Sequence, residues 1–210
     1  MTKYHKIQTL YMREPKGRRK IIVGQYSLPV FKLLHGVRWV MTEKVDGTNI
    51  RVILDANGKM FFGGKDMHSA IPTPLVNRLI ELFSVDKLCD KFPSSDVCLY
   101  GEGFGAGIQK VGHLYSANQD FVLFDVRVGD YWLDRKDVVD VAQSLGIPVV
   151  PVVATGTLGL MEQMCREGFN SAWGDFPAEG IVARPEVELV TKSGHRVITK
   201  LKLSDFERDA

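Results

Sequence analysis

The sequence predicts an α+β fold in which antiparallel β-sheet dominates. Short β-branched runs recur along most of the chain, well-marked helices are few, and one strand pair is joined by a clear hairpin turn. A doubly wound parallel sheet would need regular alternation of strands and helices, which this sequence lacks. We therefore expect antiparallel strands with a few helices inserted between them.

Eight apolar runs have the length and composition of strands. They cover residues 21–23, 39–41, 49–54, 97–100, 121–128, 147–153, 180–184 and 196–203. Residues 55–58 (DANG) follow the third run and precede another apolar stretch. They predict a hairpin, because an Asn-Gly pair tolerates the positive φ of a tight turn.

Three helices are predicted from apolar residues that share one face. They cover residues 73–92, 134–146 and 158–168. Thr73 and Pro74 are typical of a helix start, and Asp134 and Gly146 are typical of an N-cap and a C-cap. The third helix carries a Glu-Arg pair four residues apart.

Composition and length limit the class of protein. The 210 residues are 45% hydrophobic and 25% charged, which excludes collagen-like, disordered and disulfide-scaffold proteins. No run approaches the roughly 20 apolar residues that cross a membrane, and the N-terminus is too polar for a signal peptide. We therefore expect a cytoplasmic protein with no membrane partner. Cys89, Cys98 and Cys165 lack CxxC spacing, which indicates buried or half-buried thiols.

No repeat, low-complexity tract or long linker divides the chain, so residues 1–210 are expected to form a single domain. The net charge of +2 is too near balance to indicate a nucleic-acid partner by itself. Basic residues nevertheless concentrate in two places. These are residues 16–20 (KGRRK) and the group Lys192, His195, Arg196, Lys200 and Lys202.

The segment 43–51 (EKVDGTNIR) is the most informative in the chain, because Lys44 lies where a strand ends and a hairpin begins. A lysine is nucleophilic only as the neutral amine, which requires desolvation or nearby cations. Gly47 permits close approach of a phosphate or nucleotide to the backbone. A surface lysine in an Asp-Gly turn is the alternative interpretation of this segment.

Four later segments place polar residues at strand ends or within apolar strands. They are residues 100–105 (YGEGFG), 121–126 (FVLFDV), 179–184 (EGIVAR) and 199–203 (TKLKL). In the last segment Lys200 and Lys202 alternate with leucine, so both ammonium groups share one face. Each segment also has a structural interpretation, in which Phe124 belongs to the core and Glu102 and Glu179 cap strand ends.

In this order the five segments resemble motifs I, III, IIIa, IV and V of the covalent lysyl-AMP ligases and mRNA capping enzymes. The resemblance is closest to the ATP-dependent RNA ligases, including small phage and bacterial members. Asn49 stands five residues after Lys44, as in nick-sealing RNA ligases. Residues 100–110 and the opening residues 4–7 (YHKI) also resemble segments of that family, and the likeness extends to residue 203.

The resemblance implies a nucleotidyltransferase fold, the adenylation domain of ligases, with two antiparallel sheets, flanking helices and a central ATP cleft. It implies an RNA-repair enzyme that seals 5′-phosphate and 3′-hydroxyl RNA ends through lysyl-AMP and an adenylylated RNA 5′ end. The residues implied as catalytic are Lys44, Glu179, Lys200 and Lys202, with Glu179 holding Mg²⁺ or Mn²⁺. The residues implied as nucleotide-binding are Glu43, Asn49, Lys65, Glu102, Phe124, Lys200 and Lys202.

Two of the implied assignments are open. Lys65 stands where the family usually carries an arginine, and lysine cannot form a bidentate guanidinium clamp on a phosphate. Asp46 matches the motif but is equally suited to accept backbone donors in the turn.

The substrate and domain organisation also leave alternatives. Only eight residues follow Lys202, so we expect no C-terminal OB or helical domain, and the chain is either a minimal ligase or an isolated adenylyltransferase domain. The expected partners are RNA ends in a nicked duplex or single strand, bound by a monomer with or without an accessory domain. A minimal DNA ligase, a GTP-dependent capping guanylyltransferase and a nucleotide-binding module without turnover are the alternatives.

Overall fold

A computed structural model describes residues 3–16, 20–66 and 69–206. The strands are β1 (Gln8–Thr9), β2 (Tyr11–Arg13), β3 (Ile21–Tyr26), β4 (Trp39–Lys44), β5 (Thr48–Leu54), β6 (Met60–Gly63), β7 (Val97–Phe104), β8 (Asp120–Val128), β9 (Tyr131–Trp132), β10 (Val152–Gly156), β11 (Gly180–Pro185) and β12 (Thr199–Lys202). The helices are α1 (Pro29–Leu33), α2 (Thr73–Leu82), α3 (Val85–Lys91), α4 (Gly112–Tyr115), α5 (Arg135–Leu145) and α6 (Leu158–Glu167). The mixture of sheet and helix confirms the α+β prediction.

The chain divides into two compact units. Unit 1 consists of Met1–His5 and Asp46–Val150, and unit 2 consists of Lys6–Val45 and Pro151–Ala210. The chain therefore passes from unit 2 to unit 1 directly after Val45 and returns after Val150.

Unit 1 is built on an antiparallel five-stranded sheet in the order β6-β5-β7-β8-β9. Because side chains alternate along a strand, one face of β5 is apolar and carries Ile50, Val52 and Leu54. These residues pack into a core with residues of α2, α3 and α5. The other face of β5 carries Asn49 and Arg51.

Unit 2 contains a five-stranded sheet in the order β1-β12-β11-β4-β10 and a separate β2-β3 ribbon. The apolar face packs with α6, and the cluster includes Met41, Ile181 and Leu201. By alternation the opposite face carries Lys44, Lys200 and Lys202. The β1-β12 ladder is parallel, so the purely antiparallel prediction is wrong for this two-residue strand.

The predicted strand boundaries need two corrections. The run 147–153 is not one strand, since β10 begins only at Val152. Pro148 and Pro151 have no N–H to contribute to a ladder, and the backbone there bonds to Leu123 instead. The run 196–203 is also shorter in the structure, where β12 covers only Thr199–Lys202.

The first predicted helix is two helices, α2 and α3, separated at Phe83 and Ser84. Phe83 is extended, and the Ser84 hydroxyl accepts a hydrogen bond from the Lys87 N–H, so the chain restarts a helix there. Asp134 occupies the N-cap position of α5 without a side-chain cap bond. Gly146 ends α5 in the left-handed conformation with φ of 69°, as predicted.

Three smaller predictions are confirmed, at the β5-β6 turn, in α6 and at the cysteines. Gly58 has φ of 77° in the β5-β6 turn. In α6, Arg166 Nη2 lies 2.5 Å from Glu162 Oε1. Cys98 and Cys165 are buried, which raises their thiol pKa values to about 11 and about 12, and Cys89 is half-buried. Within the described residues, no helix has the length and apolar character to span a membrane.

Candidate active site

Three lysines of unit 2 occupy one face of its sheet. Gly180 of β11 pairs with Lys44 of β4 on one side and with Lys202 of β12 on the other, so both lysines lie in one cross-strand row. Lys200 lies in the next row on the same face, opposite Val182. The structure therefore brings together the three lysines that the sequence singled out.

Glu179 immediately precedes β11 and joins two of these lysines. Its Oε1 lies 2.7 Å from Lys202 Nζ, and its Oε2 accepts a hydrogen bond from Lys44 Nζ. The glutamate side chain is only 13% exposed and that of Lys44 is 21% exposed, so the Lys44 contact is largely shielded from bulk water. Both contacts are charge-assisted hydrogen bonds, which are stronger than neutral ones. One carboxylate thus serves two ammonium groups.

Lys200 adds a third positive charge to this cluster. It is half-buried, and no carboxylate of the described residues forms an ion pair with it. Burial lowers the pKa of Lys200, and the neighbouring Lys44 and Lys202 lower it further. A site with three lysines and one carboxylate has an excess of positive charge, which suits an anion such as a phosphate group.

The same cluster can be tested for a divalent metal. Among the described residues, no three His, Cys, Asp or Glu side chains gather as a metal site. Mg²⁺, however, commonly binds through one or two carboxylates together with substrate phosphates and water. Glu179 fits that arrangement, whereas a metal held by protein ligands alone does not fit.

Glu43 lies on the opposite face of β4 from Lys44. Its side chain is buried, and its two carboxylate oxygens accept hydrogen bonds from the Ser171 hydroxyl (2.6 Å) and the Ala172 N–H (2.8 Å). Burial raises the pKa of Glu43, and these two hydrogen bonds oppose that rise. The structure therefore does not bring the Glu43 carboxylate together with the three lysines.

Asn49 and Glu102 of unit 1 are directly opposite each other on β5 and β7. The Asn49 Oδ1 atom is shielded from solvent and accepts no hydrogen bond from the described residues. A buried amide oxygen without a donor is costly, so this atom is suited to a ligand hydroxyl or amine.

Gly47 lies in the turn before β5 and approaches the backbone of β7. A Cβ at this position would lie 2.2 Å from the Gly103 carbonyl oxygen and 2.7 Å from Glu102 Cγ. Only glycine fits there. The close neighbour of Gly47 in the structure is thus the strand that carries Glu102, and the approach of a phosphate or nucleotide to its backbone stays a prediction.

Phe124 is the extra residue of a β-bulge in β8. Tyr100 pairs with Asp125 and Gly101 pairs with Leu123, which leaves Phe124 between them. Its ring packs with Tyr100 and lies edge-on to Tyr4 at 5.1 Å. The bulge therefore places Phe124 on the sheet face that also carries Asn49.

Lys65 is exposed and follows β6. The buried Arg51 was not among the predicted site residues, although its position two residues after Asn49 places both on one face. Arg51 Nε donates a hydrogen bond to the Gly64 carbonyl at 2.9 Å. Arg51 therefore anchors the loop that carries Lys65.

Other missed residues stabilise the same face or the loop before Glu179. Tyr4 donates from its hydroxyl to the buried Asp125 at 2.8 Å, and Ser171 holds Glu43. These contacts join positions that are 121 and 128 residues apart, so no local sequence signal could have identified them.

The second of the two basic segments is only partly exposed. In the first, Arg18 and Arg19 lie outside the described residues. In the second, Lys192 is exposed, but Arg196 is buried and its guanidinium makes two hydrogen bonds to Glu188, the shorter 2.6 Å. Because its guanidinium is buried and paired, Arg196 is not available to a nucleic-acid phosphate.

Comparison with solved structures establishes the fold. A mutant of Naegleria gruberi RNA ligase with ATP and Mn matches with a TM-score of 0.68 and 18% identity, over 98% of this chain and 62% of that one. The same ligase with PPi matches with a TM-score of 0.66 and 18% identity, over 96% and 60% of the two chains. This chain thus spans less than two thirds of the length of those structures. A search of curated proteins gave no match.

A scan against family models gave the more specific result. The model of the RNA ligase family matches residues 37–202, which include every residue of the lysine cluster and both candidate residues of the β5-β7 pair. Because this match covers most of the sequence, the chain belongs to the RNA ligase family.

Proposed function

We propose that this chain is an ATP-dependent RNA ligase that works through a covalent AMP on Lys44. The observation that carries the proposal is the cluster in unit 2, where Glu179 pairs with Lys44 and Lys202 and the half-buried Lys200 lies on the same sheet face. Such a cluster combines a nucleophile with preorganised positive charge for a triphosphate. The structural relatives with ATP and Mn or with PPi support the same class of substrate.

The proposed reaction has three steps, and each is an attack on a phosphorus atom. The Lys44 ammonium first gives up a proton to solvent. The neutral amine then attacks the α-phosphorus of ATP, the bond to pyrophosphate breaks, and the nitrogen loses a second proton to solvent. An oxygen of an RNA 5′-phosphate attacks the same phosphorus, the bond to Lys44 breaks, and the leaving amine takes up a proton. Finally, an RNA 3′-hydroxyl attacks the 5′-phosphate, loses its proton to solvent and releases AMP.

Lys200 and Lys202 are proposed to stabilise the charge that develops on the phosphate oxygens. No carboxylate of the described residues forms an ion pair with Lys200, so its ammonium group is suited to the first contact with the phosphate. Loss of the Lys44 proton, together with transfer of the Lys202 ammonium group to a phosphate, would leave the Glu179 oxygens available to Mg²⁺ or Mn²⁺. The bound metal would neutralise phosphate charge and orient the leaving group.

Unit 1 is proposed to hold the nucleoside. Phe124 offers an aromatic face to the base, and Asn49 and Glu102 offer polar atoms to the ribose or the α-phosphate. Lys65 is proposed to contact a phosphate from its exposed loop. The carboxylate of Glu43 is not proposed as a direct nucleotide contact, because it is buried on the face of β4 opposite Lys44.

The test is transfer of label to the protein from ATP, GTP or NAD, each labelled in its transferable nucleotide, with Mg²⁺ or Mn²⁺. We expect transfer from ATP alone, in an adduct that acid cleaves and alkali does not, as for a phosphoramidate. Preferential transfer from GTP would indicate a guanylyltransferase. Nucleotide binding without any transfer would indicate a module without turnover.

The nucleic-acid substrate is tested separately, with 5′-phosphorylated nicks and single strands that carry RNA or DNA on each side. We expect sealing that requires RNA at the 3′-hydroxyl end, since the 2′-hydroxyl distinguishes RNA from DNA. Equal sealing of DNA nicks would indicate a minimal DNA ligase.

We also propose that the protein is cytoplasmic and monomeric and that its 210 residues act as one adenylyltransferase domain. An accessory domain or partner would strengthen its binding to RNA.

A further inference from the structure

The loop between α6 and β11, residues 169–178, ends directly at Glu179. Two backbone bonds fold it on itself, from the Ser171 N–H to the Phe176 carbonyl (2.8 Å) and from the Ala178 N–H to the Phe169 carbonyl (3.0 Å). The Ser171 hydroxyl also accepts a hydrogen bond from the Trp173 N–H at 3.1 Å. The loop is therefore an ordered turn whose tip, residues 171–176, begins with Ser171 and Ala172.

Glu43 is the residue of β4 that holds this tip. Both hydrogen-bond donors to its carboxylate within the described chain come from the loop, at Ser171 and Ala172. The side chain is 1% exposed. A buried carboxylate is expensive unless it is well paired, so its location here is best explained by the loop that it fixes.

We propose that Glu43 is a positioning residue for Glu179, holding the 169–178 loop so that the Glu179 carboxylate stands between Lys44 and Lys202. Two consecutive residues of β4 then bind two parts of the segment 169–179: Glu43 binds the loop tip, and Lys44 binds Glu179. The Glu179 end of this segment is held as well, because the Leu203 N–H donates a hydrogen bond to the Glu179 carbonyl at 3.1 Å. The inference rests on the proposed function, in which Glu179 takes part in nucleotide transfer.

The test compares Glu43→Gln, Ser171→Ala and Ser171→Thr with wild-type protein in single-turnover transfer of AMP from ATP. We expect Glu43→Gln and Ser171→Ala to lower the rate constant at saturating ATP about tenfold, the effect of one charge-assisted hydrogen bond. The KM for ATP should stay within about twofold, and the metal concentration for half-maximal rate should rise. Ser171→Thr, which keeps the hydroxyl, should restore most of the rate. Glu186→Gln, an exposed glutamate of unit 2, is the matched control and should behave as wild type.

A double-mutant cycle with Glu179→Gln separates positioning from direct action. If Glu43 acts through Glu179, the double variant should be no slower than Glu179→Gln alone. Additive losses would overturn the inference. So would a Glu43→Gln variant whose rate constant is unchanged while its KM for ATP or its preference for ATP over GTP shifts, because that result indicates contact with the base.

Folding is monitored by circular dichroism and Tm for each variant. If Glu43→Gln fails to fold, Ser171→Ala and Ser171→Thr carry the same expectations and the same contrary outcomes. Failure of the proposed function would look different. Wild-type protein and Glu186→Gln would then form no adduct either, which overturns both proposals together.

Discussion

In unit 2 two candidate lysines pair with a candidate glutamate, whereas in unit 1 one candidate side-chain atom accepts no hydrogen bond from the described residues. Lys44 and Lys202 both bind Glu179, but the Asn49 Oδ1 atom of unit 1 is buried without a donor from the described residues. Ion pairs of this kind preorganise charge before substrate arrives. An unsatisfied amide oxygen on the same sheet face as an aromatic ring is instead suited to accept a hydrogen bond from a ligand.

The comparison suggests a division of labour between the two sheets. In the proposed function, unit 2 carries the groups that act on phosphate, and unit 1 carries the groups that recognise the nucleoside. Variants of unit 2 should therefore mainly lower rate constants, and variants of unit 1 should mainly weaken nucleotide binding. The following predictions are arranged by the size of the expected effect.

The largest effect is expected for Lys44→Ala, which removes the nucleophile and should abolish AMP transfer to the protein. Because ATP binding does not require the covalent bond, the variant should still bind ATP with an affinity within about tenfold of wild type. Labelling and equilibrium binding measure the two properties. Lys32→Ala, at an exposed position of α1, is the control. Full labelling of the Lys44→Ala variant would refute the assignment of the nucleophile.

Glu179→Gln and Lys200→Met should each lower the rate constant of AMP transfer about 100-fold, the typical cost of losing one preorganised charge contact. Single-turnover labelling at saturating ATP measures the effect. Near-normal rates in folded variants would mean that the charged cluster of unit 2 has a structural role only.

Phe124→Ala should raise the KM for ATP about tenfold, since stacking of a base on an aromatic ring contributes roughly 1–3 kcal/mol. Asn49→Ala should raise it as well. The rate constant at saturating ATP should change much less than it does in the unit 2 variants. Phe61→Ala, which removes a half-exposed ring elsewhere in unit 1, is the control. If both variants lower only the rate constant, the proposed division between the units fails.

Lys200 also gives a prediction for stability. Its pKa is lowered in the folded protein by burial and neighbouring lysines. Between this lowered pKa and the ordinary pKa, the unfolded chain therefore binds more protons than the folded chain. Protonation of Lys200 therefore costs stability at neutral pH, and this cost disappears as the pH rises toward the ordinary value of about 10.4. We expect Lys200→Met to have a higher Tm than wild type at pH 7. The difference should shrink toward pH 10, and a difference that grows with pH would contradict this explanation.

The smallest effect is expected at the exposed Lys192. If it contacts one RNA phosphate, Lys192→Ala should weaken RNA binding modestly and lower the log-log salt slope by about 0.7 to 0.9. Binding titrations between about 50 and 200 mM salt measure the slope. Equal slopes for wild type and Lys192→Ala would remove Lys192 from the RNA-binding surface.

The neighbouring Arg196→Ala variant should instead lower the Tm, because it removes the buried partner of Glu188.

The sequence alone determined the α+β class, most strands, the Gly146 helix end and the family resemblance. These features depend on local periodicity, turn chemistry and the order of short motifs, which are written along the chain. It also predicted that Lys200 and Lys202 share a face, since a strand has a period of two. Strand limits near Pro148 and Pro151 were less accurate because pairing depends on a partner strand elsewhere in the chain.

Tertiary structure alone decided which of the predicted residues meet. Glu179 joins lysines from two other strands, and Glu43 binds a loop that lies 128 residues away. The same is true of Arg51 and Gly64, and of the bulge that turns Phe124 onto the Asn49 face. Strand register and loop closure set these contacts, and a one-residue shift of register would move each side chain to the opposite face of its sheet. The motifs therefore specified the chemical groups, whereas the pairing of distant strands determined which of those groups lie together.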